Sequence, residues 1–284
     1  MQNLSERCLT VIQKRPQNSH KGTFGRTVLI GGNAQFGGAI MMSAEACVNA
    51  GSGLTTVITD PNNHQALHAR IPEVMTVDWN DNKRCDSVLA SADVILIGPG
   101  LGEDEKSQEL LTYTFQKQAE NQLLVIDGSA ITLFAKNDEN LPHPTQTIFT
   151  PHQMEWQRLS GIKIADQTEE INQAVQEKLE ATIVLKSHHT EIYSTQGSFL
   201  NPLGNPGMAI GGTGDTLAGI ITGFLAQFTS SVDVISAAVY LHSYIADQIY
   251  DNNYIVLPTK ISQALPYWMK QFEKLIVKIL KHFK

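Results

Sequence analysis

The stretch Asn205-Pro206-Gly207-Met208-Ala209-Ile210-Gly211-Gly212-Thr213-Gly214-Asp215 contains the strongest pattern in this chain. Its last glycines surround one threonine, an aspartate follows, and an apolar run then extends over 217–228. Glycine has no Cβ, so its backbone can turn sharply and direct several N–H groups at one point. A helix that begins near Thr213 would add the positive end of its dipole at the same place. The stretch therefore predicts an anion cradle at a helix start.

Asp215 is unexpected beside an anion, because like charges repel. A carboxylate is useful at this position if it removes a proton from a hydroxyl that attacks a phosphate. The alternative is purely structural, with glycines in a tight turn and Asp215 in the first turn of the helix. A glycine-rich turn by itself does not separate these two interpretations.

Composition excludes several classes of protein. The chain has 284 residues and a formal net charge of −7, and its Lys and Arg are scattered. It therefore lacks the basic surface that would attract nucleic acids or anionic membranes. Its three cysteines are widely separated and form no C-x-x-C, which is typical of a reducing compartment. No apolar h-region follows Met1, and the run 217–228 is too short to span a bilayer. We expect a cytoplasmic protein that binds neither nucleic acid nor membrane.

Short apolar runs alternate with longer amphipathic ones, a rhythm typical of βα units around a mostly parallel sheet. Marked polar groups come directly after the apolar runs. Because ligands bind at the carboxyl ends of strands in open α/β sheets, we expect one crevice that gathers these loops. The loops are Asn33, Gly98–Gly102, Asp127, Thr150–His152 and Lys186. The predicted strands are 27–30, 54–58, 94–97, 123–126, 147–149 and 183–185, the last forming a hairpin with 191–193, and the predicted helices are 37–50, 213–228, 232–250 and 259–282.

Together with four other motifs, the glycine-rich stretch resembles the ADP/ATP-dependent NAD(P)H-hydrate dehydratases of the ribokinase-like superfamily. The motifs occur in the family's order and span roughly residues 20 to 250: His20-Lys21-Gly22-Thr23-Phe24-Gly25, Gly98-Pro99-Gly100-Leu101-Gly102, Thr150-Pro151-His152 and Val184-Leu185-Lys186. The resemblance implies a three-layer α/β/α sandwich with a mostly parallel central sheet, and one domain over 1–284. It also implies a hydro-lyase that repairs damaged cofactors by converting (6S)-NADHX or NADPHX to NADH or NADPH.

The same resemblance implies a role for each matching residue. Asp215 would take the proton of the C6 hydroxyl, which attacks the terminal phosphate of ADP or ATP, with ADP favoured and Mg²⁺ bridging the phosphates. Phosphate elimination would then restore the reduced cofactor. The implied catalytic residues are Asp215, Gly212, Thr213 and Gly214. The implied substrate-binding residues are Ala39, Gly100, Gly102, His152, Asn205 and Asp215. The implied nucleotide-binding residues are Lys186, Ser187, His188, His189, Thr190 and Gly214.

Three local questions stay open at this level. Thr150 could cap a helix that has Pro151 at its first position and Gln153 in a capping box. Ser187 replaces the family's usual glycine, and a positive φ would strain it. The metal ligands are not identified: Asp127 could hold a water on Mg²⁺ or cap the following helix, and Glu155 could approach the metal through water. The histidine pairs His64/His68 and His188/His189 lack the companions of a zinc tetrad.

Relatives in the family form homotetramers, and many bacterial ones carry a fused N-terminal epimerase domain. By this resemblance we expect a homotetramer. Because this chain begins only shortly before its first predicted strand, we also expect that it works with a separate NAD(P)HX epimerase. Two alternatives remain. One is a kinase of the same superfamily for a vitamin precursor, such as a hydroxyethylthiazole or a pyridoxal-like alcohol, which would use the same aspartate. The other is a nucleotide-binding sensor or partner protein without turnover.

Overall fold

The computed structural model describes residues 1–137, 139–229 and 231–282. Ten strands form one sheet in the order β1-β10-β9-β8-β7-β6-β5-β2-β3-β4, and only β9 runs antiparallel to both of its neighbours. The strands are β1 (Gln2–Asn3), β2 (Arg26–Ile30), β3 (Leu54–Thr59), β4 (Met75–Asp78), β5 (Val94–Ile97), β6 (Leu123–Ile126), β7 (Thr147–Phe149), β8 (Thr182–Leu185), β9 (Glu191–Ser194) and β10 (Gly197–Leu200).

Ten α-helices lie in the part of the chain that the structure describes. They are α1 (Gly37–Asn49), α2 (His64–Arg70), α3 (Asn82–Leu89), α4 (Glu105–Lys117), α5 (Ser129–Lys136), α6 (Gln153–Ser160), α7 (Glu169–Leu179), α8 (Thr213–Gln227), α9 (Val232–Tyr250) and α10 (Pro258–His282). None of the described helices is both long and apolar enough to cross a membrane.

The strands bury side chains on both faces of the sheet, which explains why their sequences are continuous apolar runs. Along β5, Leu96 packs into one apolar cluster while Ile95 and Ile97 pack into another. The first cluster contains residues of α1, α8, α9 and α10, and the second contains residues of α3, α4, α5 and α6. This confirms the predicted three-layer α/β/α architecture with a mostly parallel sheet. That residues 1–284 form a single domain stays a prediction.

Helices α1 and α8 pack with their backbones unusually close. A Cβ on Gly219 would lie 2.2 Å from the carbonyl oxygen of Ser43, and one on Gly223 would lie 2.7 Å from that of Cys47. Only glycine allows this approach. Ser43 Oγ also donates a hydrogen bond to the main-chain oxygen of Asp215 at 2.9 Å. The packing therefore fixes the first turn of α8 relative to α1.

The predicted strands and the hairpin of β8 and β9 are all present, with ends displaced by at most one residue. The chain continues to pair beyond the strand ends on the side where the loops gather. Lys186 N donates to Pro151 O at 2.7 Å, Thr150 N to Ile126 O at 3.0 Å and Asp127 N to Ile97 O at 3.0 Å. These bonds hold the polar groups after β6, β7 and β8 in fixed register at the sheet's carboxyl edge.

Candidate active site

Helix α8 begins at Thr213, as the glycine pattern predicts. Gly212 precedes it in the left-handed region with φ 97°, and a Cβ there would lie 2.3 Å from the end of the Met42 side chain. Thr213 Oγ1 is 2.9 Å from both Met208 O and Ile210 O, so its hydroxyl is engaged with the preceding loop. The first N–H groups of a helix have no acceptor within it. Any contact of Thr213 with an anion would therefore come from its backbone N–H.

Asp215 lies in this first turn with a carboxylate that is free to react. It accepts no hydrogen bond from any residue within the described ranges, whereas its main-chain oxygen is held by Ser43. The pKa of Asp215 is raised to about 6, because burial and then the negative charge of Asp127 raise it more than the positive charge of Lys186 lowers it. A carboxylate with this pKa is ionised at neutral pH and is a stronger base than an exposed aspartate, which suits a general base.

Lys186 and Asp127 form a buried ion pair beside this turn. Lys186 Nζ is 2.6 Å from Asp127 Oδ1, and Thr150 Oγ1 donates to the same oxygen at 2.6 Å. Burial lowers the pKa of Lys186, but Asp127, Glu155 and Asp215 together raise it above its ordinary value. The ammonium therefore stays charged. A Cβ on Gly214 would lie 3.0 Å from Nζ, so the absence of a side chain lets the ammonium reach the start of α8.

The structure corrects the interpretation of Asp127 as a helix cap. Helix α5 starts after Gly128 without a side-chain cap, and Oδ1 of Asp127 instead accepts hydrogen bonds from Lys186 and Thr150. The predicted cap at Thr150 is also wrong, by two residues. Thr150 turns inward to Asp127, and α6 begins at Gln153 after an N-cap of His152.

His152 caps α6 with its ring. Nδ1 accepts hydrogen bonds from Met154 N and Glu155 N, both at 3.1 Å, and Glu155 Oε2 accepts one from His152 N at 2.7 Å. The ring's proton is thereby placed on Nε2, which lies 3.4 Å from Glu155 Oε1. Burial lowers the pKa of His152, with a further contribution from Lys186, and burial raises that of Glu155 to about 7. At neutral pH the half-exposed His152 ring is therefore an uncharged donor.

A cavity of about 620 Å³ joins these elements. It collects most of the residues expected to bind the nucleotide, together with His152, Asn205 and Thr213 from the other predicted sets. Its lining residues are His152, Lys186, Ser187, His188, Thr190, Leu203, Gly204, Asn205, Pro206, Met208, Ala209, Thr213, Gly214, Leu217, His242 and Ser243. His189 does not line it, but its ring packs on that of His188 with centroids 4.0 Å apart. Ser187 has no positive φ, since Glu180 is the only non-glycine residue with one among those described, so the expected strain is absent.

Three residues expected on the substrate side, Ala39, Gly100 and Gly102, lie outside the cavity wall. They cluster at the start of α1: a Cβ on Gly100 would lie 3.0 Å from Ala39 Cβ, and one on Gly102 would lie 2.6 Å from Asn33 Nδ2. Ser43 Oγ is within hydrogen-bonding distance of Ala39 O at 3.2 Å and of Asp215 O at 2.9 Å. The first turn of α8 is thus linked to this cluster through Ser43 and to the cavity through Thr213 and Gly214.

The residue types present suit a magnesium ion that arrives with a nucleotide. Within the described ranges, no group of three or more His, Cys, Asp or Glu side chains is arranged to hold a metal ion. Mg²⁺ keeps several waters and commonly uses phosphates with only one or two carboxylates. Asp127 has one oxygen committed to Lys186, and Asp215 has none committed to a protein donor.

Sequence reasoning missed two polar contributions from α9. Asn205 Nδ2 donates to Asp247 Oδ1 at 2.7 Å, which orients the amide and leaves Oδ1 buried without a partner among the described residues. His242 also lines the cavity. Its Nε2 is buried and has no hydrogen-bond partner among the described residues. A histidine inside an otherwise apolar helical run was the one signal that could have identified it.

The chain is similar to known proteins over most of its length. The family model for NAD(P)H-hydrate dehydratase matches residues 27–267. The ADP-dependent (S)-NAD(P)H-hydrate dehydratase of Enterococcus faecalis is 57% identical over 92% of this chain and 90% of its own length, and that of Lactiplantibacillus plantarum is 50% identical over 93% and 95%. The structure of the ADP/ATP-dependent NAD(P)H-hydrate dehydratase from Bacillus subtilis, co-crystallized with ATP/Mg²⁺, has a TM-score of 0.84 and 27% identity, covering 96% of this chain and 99% of that one.

Proposed function

The chain belongs to the NAD(P)H-hydrate dehydratase family, and from this membership we propose that it is an ADP-dependent hydro-lyase that converts the (S)-hydrates of NADH and NADPH back to the reduced cofactors. The observation that carries the proposal is the Asp215 carboxylate. It stands in the first turn of α8 without a protein hydrogen-bond donor among the described residues, and its pKa is raised to about 6. A phosphoryl transfer to a hydroxyl needs such a base beside a phosphate cradle.

In the first step, Asp215 takes the proton of the C6 hydroxyl of the hydrate. The hydroxyl oxygen forms a bond to the terminal phosphorus of ADP, the bridging P–O bond breaks, and AMP leaves with that electron pair. The backbone N–H groups of Gly212, Thr213 and Gly214 stabilise the charge that spreads over the transferred group. Lys186 supports the same region, since its ammonium reaches the first turn of α8. Mg²⁺ bound to the nucleotide phosphates would neutralise part of their charge.

In the second step, the C6–O bond breaks and its electron pair leaves with phosphate, which is a far better leaving group than hydroxide. The lone pair of the ring nitrogen assists this departure, and loss of a proton from C5 re-forms the C5–C6 double bond. The products are the reduced cofactor, AMP and phosphate. The phosphoryl transfer thus uses a kinase-type site to produce a lyase outcome.

We assign the two sides of Asp215 to the two reactants. The cavity takes the adenine nucleotide through Lys186, Ser187, His188, His189, Thr190 and Gly214. The hydrate lies on the side of Ala39, Gly100 and Gly102, with His152 and Asn205 reaching it from the cavity rim. Support for this division comes from Ser43, which joins Ala39 and Asp215 through its hydroxyl, and from the uncharged Nε2–H of His152, which suits hydrogen bonding to a neutral ring substituent.

Absorbance at 340 nm tests the proposal. The protein is mixed with NADH hydrate, Mg²⁺ and either ADP or ATP, and a nucleotide-dependent rise is expected, larger with ADP. The Asp215→Asn variant serves as the matched control and should give a flat trace. A flat trace from folded wild-type protein that binds ADP would contradict the proposal, and AMP release with hydroxyethylthiazole or pyridoxal would then point to a vitamin-precursor kinase.

The proposed setting of the reaction follows from the family. We place the protein in the cytoplasm as a homotetramer that receives the (S) isomer from a separate epimerase acting on the hydrate of opposite configuration. Size-exclusion chromatography with light scattering tests the tetramer. Turnover of only the (S) fraction of an equilibrated mixture of the two isomers, completed by addition of an epimerase, tests whether a separate epimerase supplies the substrate.

A further inference from the structure

Ser43 packs against Gly219 where helices α1 and α8 approach each other closely. Both residues are buried, and a Cβ on Gly219 would lie 2.2 Å from Ser43 O. One turn further along both helices, a Cβ on Gly223 would lie 2.7 Å from Cys47 O. The residue numbers of these two contacts rise together by one helical turn. Helices α1 and α8 therefore run parallel to each other in a fixed register.

The same register brings Ala39 and Asp215 together at the more open end of the helix pair. They precede Ser43 and Gly219 by one turn each, and both are partly exposed. The hydroxyl of Ser43 contacts the main chain of each, because its Oγ is 2.9 Å from Asp215 O and 3.2 Å from Ala39 O. One hydroxyl thus lies between the helix that carries the reactive carboxylate and the helix that begins on the assigned hydrate side.

The contact between Ser43 and Asp215 is additional to the hydrogen bonds of α8 itself. In an α-helix the N–H of Gly219 donates to the carbonyl oxygen four residues earlier, which is that of Asp215. A carbonyl oxygen has two lone pairs, so it can also accept the hydroxyl of Ser43. Removing the hydroxyl would therefore leave the hydrogen bonds within α8 intact and would remove a polar bond between the two helices.

We propose that Ser43 is a positioning residue, which holds the main chain of Asp215 at the distance from Ala39 at which the carboxylate meets the hydroxyl of the hydrate. This role rests on the proposed function, in which Asp215 is the base and the hydrate lies beside Ala39. No hydrogen bond from any described residue fixes the carboxylate, so its location depends on the main chain that carries it. Reacting atoms must approach within about 3–3.5 Å, and a displacement of about 1 Å can cost about 100-fold in rate.

Steady-state kinetics of Ser43→Ala with NADH hydrate and ADP test this role. We expect kcat to fall roughly 10- to 100-fold. The Kd for ADP, measured by calorimetric titration, should stay within about twofold of the wild type, because Ser43 is not among the residues that line the nucleotide cavity. The matched control is Thr222→Val, which removes a buried hydroxyl of α8 that donates to Ala218 O within the same helix at 2.8 Å. This variant should keep the kcat of the wild type.

Two kinetic results would overturn the proposal. One is a folded Ser43→Ala protein whose kcat equals that of the wild type. The other is an equal fall in kcat for Thr222→Val at an equal loss of melting temperature, since a role limited to helix stability would affect both variants alike. If Ser43→Ala does not fold, Ser43→Cys replaces the hydroxyl by a larger atom that is a weaker donor. Its kcat should also fall, and a wild-type value would contradict the proposal.

Crystal structures of the wild type and Ser43→Ala give a test that does not depend on turnover. The carbonyl oxygens of Asp215 and Ala39 should lie farther apart in the variant, and an unchanged separation would contradict the proposal. Wild-type protein that binds ADP but gives no absorbance change with NADH hydrate would overturn the proposed function. A displaced Asp215 in Ser43→Ala would still support the positioning of this residue by Ser43.

Discussion

Lys186 Nζ lies 2.6 Å from Asp127 Oδ1, where the ends of β6 and β8 face the first turn of α8. Asp127 is 2% exposed, so its charge depends on this partner and on the Thr150 hydroxyl. Both charges of the pair act on the carboxylate of Asp215: Asp127 raises its pKa and Lys186 lowers it. Three charged residues from distant parts of the chain thus influence one another's pKa values at this site.

Removing one partner of this ion pair should destabilise the fold strongly. Lys186→Met leaves the Asp127 carboxylate buried without its cation, and we expect the free energy of unfolding to fall by about 3–5 kcal/mol. The double variant Lys186→Met/Asp127→Asn removes both charges and should be more stable than Lys186→Met alone. Urea unfolding of the wild type and the single and double variants measures the coupling. Strictly additive effects would show that the pair contributes no interaction of its own.

Replacing the proposed base should stop the reaction while sparing the fold. Asp215→Asn keeps the shape of the side chain but cannot accept a proton, so kcat is expected to fall by about 10²- to 10⁴-fold. The carboxylate makes no hydrogen bond within the described ranges, so the melting temperature and the Kd for ADP should change little. The matched control is Asp233→Asn, which alters an exposed aspartate in the first turn of α9. Retained turnover in Asp215→Asn would refute the assigned role.

The pH dependence of kcat/KM should report the Asp215 carboxyl in the free enzyme. Its pKa is raised by burial to about 6, and only the ionised form can take a proton. We therefore expect kcat/KM to be level above this pH and to fall tenfold per unit below it. Lys186 holds the pKa of Asp215 down, so Lys186→Met should move the acid limb to higher pH wherever the variant stays folded. A limb near pH 4, or one that moves downward, would contradict this electrostatic account.

Two adjacent glycines offer a matched test of the cradle. Gly212 has φ 97°, and a Cβ there would meet the end of Met42 at 2.3 Å, so Gly212→Ala should lower the free energy of unfolding by about 1–3 kcal/mol. A Cβ on Gly211 would meet nothing within 4 Å. Gly211→Ala should therefore change the free energy of unfolding by less than about 0.5 kcal/mol. Thermal and urea unfolding compare the two. Equal stability of both variants would show that the left-handed turn is not required.

Patterns of a few neighbouring residues predicted much of the fold correctly. The apolar runs predicted β2, β3, β5, β6, β7 and β8, and the glycine-threonine-glycine pattern placed the start of α8 at Thr213. The cap of α6 was misplaced because Thr150 and Gln153 satisfy a local capping rule equally well. The buried carboxylate of Asp127 provides a better use for the Thr150 hydroxyl, and a local rule contains no information about it.

The sequence by itself determined the alternation of strands and helices and the start of α8, because periodicity and backbone freedom act within a few residues. It also predicted the anion cradle and the proton-accepting role of Asp215. Only the tertiary structure decided which polar groups meet. Asp127 and Lys186 are 59 residues apart, and His242 comes from a helix that carried no predicted site residue. Charge pairing and the pKa values that result from it depend on burial and on distances across the fold. Those quantities exist only once the sheet has brought its strand ends together and α8 and α9 have packed against them.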